Sequence, residues 1–278
     1  MSFGLIESML IGIMTGLAEI LPVSAQAHGR ILLKFMGKGN IPALMNLFVH
    51  LGVLAALYLS CQVHILKMFR AKKMSRIPKR KRKRPLDTRS MMDLSLWMTM
   101  LLPVILSLVF MRKLEALADN TIIMATFLLL NGLLLYIPQF LPSSNKDCRN
   151  LSRVEGLLMG LGGALFAIPG FSGVGVGLSV ASVTGVERKY GLNMILLMDI
   201  GILAGKVIYD ILDVISLGLS GFDFKGLVFC LLAAAAAFLF AYLGIRMMRR
   251  LAEEKGYGSF AYYSWGMALF TFILTLMA

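Results

Sequence analysis

The sequence predicts an all-α, polytopic membrane protein. It should have about six transmembrane helices and two re-entrant helical hairpins, arranged as an inverted repeat within a single domain over residues 1–278. Three observations predict this. First, 58% of the 278 residues are hydrophobic and mean hydropathy is +0.78, a balance that belongs to integral membrane proteins rather than soluble domains. Second, two apolar stretches, 4–36 and 152–186, are each broken near the middle, at Pro22 and Pro169. Third, the basic segments all fall on one side of the membrane if both stretches return to the side they entered from.

The first stretch, 4–36, is too long for one crossing of about 20 residues and too short for two. Its opening, MSFGLIESML, lacks a basic n-region and a small-residue cleavage site, so no cleaved signal peptide is expected. Pro22 removes a backbone donor, and such a break is tolerated in a membrane where it lines a cavity. Around it lie Glu19, Ser24, His28 and Arg30. An ionisable group in hydrocarbon costs several kcal/mol and therefore usually faces a partner or a wet cavity. The combination points to a binding site built on half-helix ends. The plainer alternative is a kinked span with Glu19 satisfied by a neighbouring helix.

A span at 43–66 follows, beginning near Asn46. Next comes a basic loop, 67–90, with twelve Lys and Arg between 67 and 89, including the unbroken run Lys79 to Arg84. In a polytopic protein such a loop is cytoplasmic by the positive-inside rule and meets anionic lipid; a nucleic-acid partner is not expected. Spans at 92–111 and 121–141 complete this part of the chain.

The second stretch, 152–186, repeats the first. Its tip, IPGFSGVGVGLSVAS, holds Gly170, Gly173, Gly175 and Gly177. These glycines either let backbone amides approach an anion or permit close helix packing, and the pattern alone does not separate the two. At an offset of 147, Gly16 aligns with Gly163, Pro22 with Pro169 and Asn46 with Asn193. Repeat one then covers about 1–112 and repeat two about 121–247, with the site near mid-membrane where the tips meet. The remaining spans are 193–213, 226–247 and a final helix at 260–277.

With the loop 67–90 inside, three further basic clusters fall inside as well: Lys146, Arg149 and Arg153; Arg188 and Lys189; Arg246, Arg249, Arg250 and Lys255. Both chain ends then lie outside. Three separated cysteines and three histidines without a ligand spacing indicate neither a disulfide framework nor a zinc centre. His64 is placed near the cytoplasmic end of its span, while His50 shares a face with Asn46. On 193–213, Asp199, Lys206 and Asp210 share one helical face. They form either an ion network among themselves or, through Lys206, a phosphate contact.

The motif Ala18-Glu19-Ile20-Leu21-Pro22-Val23-Ser24 followed by His28, and the motif Pro169-Gly170-Phe171-Ser172, resemble those of the bacitracin-resistance type undecaprenyl-diphosphate phosphatases. The resemblance continues through Gly185, Arg188, Gly205, Asp210 and Phe260-Ala261-Tyr262-Tyr263. It implies an inverted-repeat fold in the bacterial plasma membrane with a site opening to the outer face. The implied activity is hydrolysis of a polyprenyl diphosphate to the monophosphate, recycling the lipid carrier of peptidoglycan synthesis. It also implies a divalent cation, Mg2+ or Ca2+, on Glu19. Glu19, His28, Ser24 and Ser172 become catalytic candidates. Gly170, Gly173, Asn46 and Asn193 become substrate-binding ones, and Lys206, which like Asp199 is unusual against the family pattern, joins them as a phosphate-binding charge in place of a missing arginine. Against the family pattern, Thr15 stands where the first motif glutamate is expected, Ala25 for a second serine, and Gly173 for an arginine. Gly177 stands for a threonine, Asn46 and Asn193 for acids, and Ser264 for an arginine. The alternative is therefore an inactive member that binds or transports polyprenyl phosphate.

Overall fold

A computed structural model describes residues 3–82, 85–141, 145–217, 224–254 and 256–276. Among them the chain forms ten α-helices and no strand. They are α1 (Leu5–Ile20), α2 (Ala25–Phe35), α3 (Ala43–Ser75), α4 (Thr88–Glu115), α5 (Thr121–Tyr136), α6 (Arg153–Ala164), α7 (Gly173–Val183), α8 (Arg188–Leu217), α9 (Phe224–Glu254) and α10 (Ser259–Leu276). Five of them, α3, α4, α9, α10 and α5 together with the 3-10 turn that carries it on to Phe140, are long and apolar enough to cross a membrane. Large apolar side chains such as Ile6, Leu102, Val109, Leu231 and Leu269 lie on the outer surface of the bundle, as lipid contact requires. The sixth predicted span is α8. It is 30 residues long and carries Asp199, Lys206 and Asp210, all buried.

Helix α3 outruns its predicted end at 66 and continues to Ser75. Lys72 and Lys73 fill its last turn, where cations suit the negative end of the helix dipole. Arg82 folds back to donate to the carbonyls of Ser75 and Ile77, satisfying acceptors that the helix end leaves open. Lys83, Arg84, Lys255 and the last residue of the predicted 260–277 helix lie outside the described residues.

The two Pro-broken stretches are helix pairs. At about 1.5 Å per residue, α1 (16 residues), α2 (11), α6 (12) and α7 (11) each fall short of the roughly 30 Å of hydrocarbon. The first pair breaks at 21–24 and the second at 165–172. Helix order then reads short, short, long, long and one more in each half, α1–α5 and α6–α10. Matching elements pack alike. Helix α1 lies on α9 as α6 lies on α4, α3 lies on α9 as α8 lies on α4, and α3–α8 and α5–α10 pair across the halves. This order puts α5 with the first half, whereas the sequence reading began the second repeat at 121.

Small residues set the closest of these contacts. A Cβ on Gly12 or Gly16 would collide with the backbone of Ala233 or Ala237 on α9, and one on Gly52 with that of Ala234. In lipid, helices associate through such close backbone approach rather than through hydrophobic exclusion. The result holds α1 against the spanning helices and fixes the position of Glu19 at its end.

Candidate active site

The two helix-pair tips meet, as the repeat predicts. Ser24 is the N-cap of α2, its Oγ accepting from Ala27 N, and the same oxygen accepts from Gly170 N at 3.0 Å. Ser172 is the N-cap of α7, accepting from Gly175 N, and its hydroxyl donates to the Leu21 carbonyl at 3.3 Å. Gly170 turns the second tip with φ +105, a region open to glycine at little cost. Its neighbour Ser172 N donates to Asn131 Oδ1 at 2.9 Å. Three amides of this tip are thus bound by protein oxygens. Gly173 and Gly177 serve packing, since a Cβ at either would crowd Gly163 O and Phe166 or the Ile195 side chain.

Beside the tips opens a polar cavity of about 360 Å³ lined by α1, α2, α3, α4 and α8. Glu19 and Lys206 form its floor, both buried. Lys206 Nζ donates to Glu19 Oε1 at 2.6 Å and to Oε2 at 2.8 Å. The ammonium also lies over the Phe166 ring, 5.4 Å from its centroid. His50 bonds Asp210 Oδ2 through Nδ1 at 2.6 Å and points Nε2 at Glu19 Oε1, 3.9 Å away. Asn46 and Thr15 line the same wall. Two arginines stand at the rim. Arg30 pairs with Asp119 at 3.1 Å, and Arg112 pairs with Asp213 and lies over the Tyr209 ring. The cavity opens at the Asn46 end of α3, opposite the end that carries the basic segment.

Lys206 therefore pairs with Glu19 rather than with Asp199 and Asp210, the partners expected from its own helix face. One turn separates Lys206 from Asp210, but His50 takes that carboxylate from α3. Asp199 turns into a second chamber of about 20 Å³ that shares Glu19, Ala25, Gln26 and Lys206 with the first and also touches Ser172 and Gly173. Asp199 Oδ2 and Gln26 Oε1 have no protein partner there, and the space suits one water molecule.

His28 lies elsewhere. Its Nδ1 bonds the Ser24 carbonyl at 2.7 Å, its Nε2 bonds Tyr263 OH at 2.7 Å, and its ring stacks on Tyr263. It lines neither chamber. Asn193 lies thirteen residues before Lys206 on α8, about 20 Å along the axis. It too lines neither chamber.

The donors around Glu19 do not fit a divalent cation. Both carboxylate oxygens are occupied by one ammonium, and Asp210 is held by His50. Among the described residues no group of three His, Cys, Asp or Glu is placed to hold a metal ion.

Three participants escaped the sequence reading: Asn131, which joins Ser172 N to Ser264 Oγ; the rim arginine Arg112; and Tyr263 as the partner of His28. Asn131 sits in an apolar span, where a lone amide was a signal of its own. Tyr263 stood in the closing family motif without a sign of its pairing with His28, and Arg112 carried no local sign.

The chain is similar to known proteins over nearly its whole length. A family model described as bacitracin resistance protein BacA matches residues 8–270. The undecaprenyl-diphosphatase of Methanobrevibacter smithii is 28% identical over 275 residues, covering 97% of each chain. That of Pseudarthrobacter chlorophenolicus is 28% identical over 96% of each, and that of Renibacterium salmoninarum 27% identical over 97% of this chain and 95% of its own.

Proposed function

The chain belongs to the bacitracin resistance protein BacA family, and from that premise we propose that it hydrolyses a polyprenyl diphosphate, undecaprenyl diphosphate foremost, to the monophosphate. One observation carries the reading. A buried carboxylate, Glu19, and a buried ammonium, Lys206, face a polar cavity of about 360 Å³ with Arg30 and Arg112 at its mouth. Phosphoryl transfer needs cationic charge on the phosphate oxygens and a positioned nucleophile. Lys206 and the two arginines supply the charge where Gly173 leaves none on the second tip.

In this reading the diphosphate enters from the rim and its oxygens take Lys206 from Glu19. The freed carboxylate accepts a proton from the attacking water. The new P–O bond forms as the bridging P–O bond breaks, and the lipid monophosphate and orthophosphate leave. His50, oriented by Asp210, stands next to Glu19 to carry the proton outward. Ser24 and Ser172 hold the tips together, and His28 holds α2 to α10. The two short helix pairs are re-entrant, the basic segment 67–90 faces the cytoplasm and anionic lipid, and the site opens to the outer face of the plasma membrane.

The test is orthophosphate release from C55 diphosphate by purified protein, beside Glu19→Gln. Release that the substitution removes supports hydrolysis. Lipid binding without release assigns the same cavity to a polyprenyl-phosphate binder or carrier.

A further inference from the structure

We propose that the Lys206 ammonium is the resident cation of this site, so that Glu19 takes no divalent ion and phosphate binding requires none. The inference deepens the proposed function and rests on it only for the identity of the lipid.

The geometry is that of a filled cation position. Nζ lies 2.6 and 2.8 Å from the two oxygens of one carboxylate, the symmetric placement a bidentate cation would take. Both partners are buried, at 9% and 7% side-chain exposure, so solvent screens the attraction less than it would at the surface. A divalent ion on either oxygen would stand within hydrogen-bond reach of the ammonium, and the like charges would repel at low dielectric. Mg2+ also demands six ligands in near-octahedral array at about 2.0–2.1 Å. The neighbours cannot complete that shell. Asp210 is bound to His50 at 2.6 Å, and the His50 Nε2 lies 3.9 Å from Glu19. The unpartnered oxygens of Asp199 and Gln26 share with Glu19 a chamber of only about 20 Å³, so together these groups fall short of six ligands. The face behind the ammonium is the Phe166 ring, 5.4 Å to its centroid, which favours a cation but gives a metal no lone pair.

Lys206 lines the cavity that phosphate would enter. Phosphate oxygens entering the cavity present the same charge as Glu19, and a lysine binds phosphate as a point charge. The chain thus carries on α8 the charge that a soluble ion would bring.

Two binding measurements in detergent test this without turnover. Mn2+ binding, read from the free-ion electron paramagnetic resonance signal, should be the same for the unaltered protein and Glu19→Gln. In the unaltered protein with EDTA, inorganic diphosphate should bind, and Lys206→Gln should weaken it at least tenfold. Size-exclusion profiles and melting curves establish that each variant is folded; where a variant is not, the EDTA insensitivity of diphosphate binding to the unaltered protein decides. Mn2+ binding to the unaltered protein that depends on Glu19, or diphosphate binding abolished by EDTA, overturns the proposal. Failure of lipid hydrolysis alone leaves these readings intact and counts only against the phosphatase function.

Discussion

The Ser24 hydroxyl and the Gly170 amide meet at 3.0 Å, joining the tips of two helix pairs 146 residues apart in sequence. The same oxygen caps α2 through Ala27. A hydroxyl oxygen accepting two backbone N–H bonds is a fastener, and its removal leaves a buried amide without an acceptor. Ser24→Ala should therefore cost about 1–3 kcal/mol of stability. A lowered melting temperature with phosphate release still above background is the expected pair of results. Unchanged melting with abolished release would instead mark Ser24 as the nucleophile.

The contact of α1 with α9 depends on glycines. Gly16→Ala would place a Cβ against the Ala237 backbone, and overpacking of this kind costs about 1–3 kcal/mol. Gly29→Ala meets only the Met14 side-chain terminus at 3.7 Å and should be neutral. Thermal melts of the two variants in one detergent separate a packing role from mere glycine flexibility.

Much of this architecture was legible in the chain. Pro22 and Pro169 marked the breaks because the ring forbids a backbone donor, and hydropathy placed six long helices because a bilayer sets their length. Ionic pairing was less legible. Helical spacing groups Lys206 with Asp199 and Asp210 on one face, but spacing along α8 cannot show that α1 ends opposite Lys206 or that His50 on α3 reaches Asp210 first. Nor does a motif reveal that His28 turns toward Tyr263. Those partners are set by how helices pack, and packing here follows small residues spread over the whole chain.

At the outset of α6, Glu155 accepts from Ser152 N and pairs with Lys146 at 2.7 Å. The bond from Lys146, then the Ser152 cap, hold its carboxyl down at about 2. A depressed carboxylate stabilises fully above its ordinary value, about 4.3 for a free glutamate, and loses that contribution as pH falls toward 2. The melting-temperature gap between the unaltered protein and Glu155→Gln should therefore stay constant from pH 7 to about 5 and narrow below that. A gap that widens on acidification would contradict the assignment.

His50 and Asp210 give the most direct test of proton handling. The Asp210 carboxylate fixes the His50 ring through Nδ1, leaving Nε2 toward Glu19. Asp210→Asn keeps the shape and removes the charge that selects this ring orientation, and a positioned proton-transfer group typically contributes about 10²–10⁴-fold. The expectation is a kcat lowered by that factor with KM nearly unchanged, since Lys206, Arg30 and Arg112 still meet the phosphates. Lys206→Gln should do the reverse and raise KM most. If Asp210→Asn raises KM instead, Asp210 positions Lys206, its neighbour one turn away, and His50 is not the proton's exit.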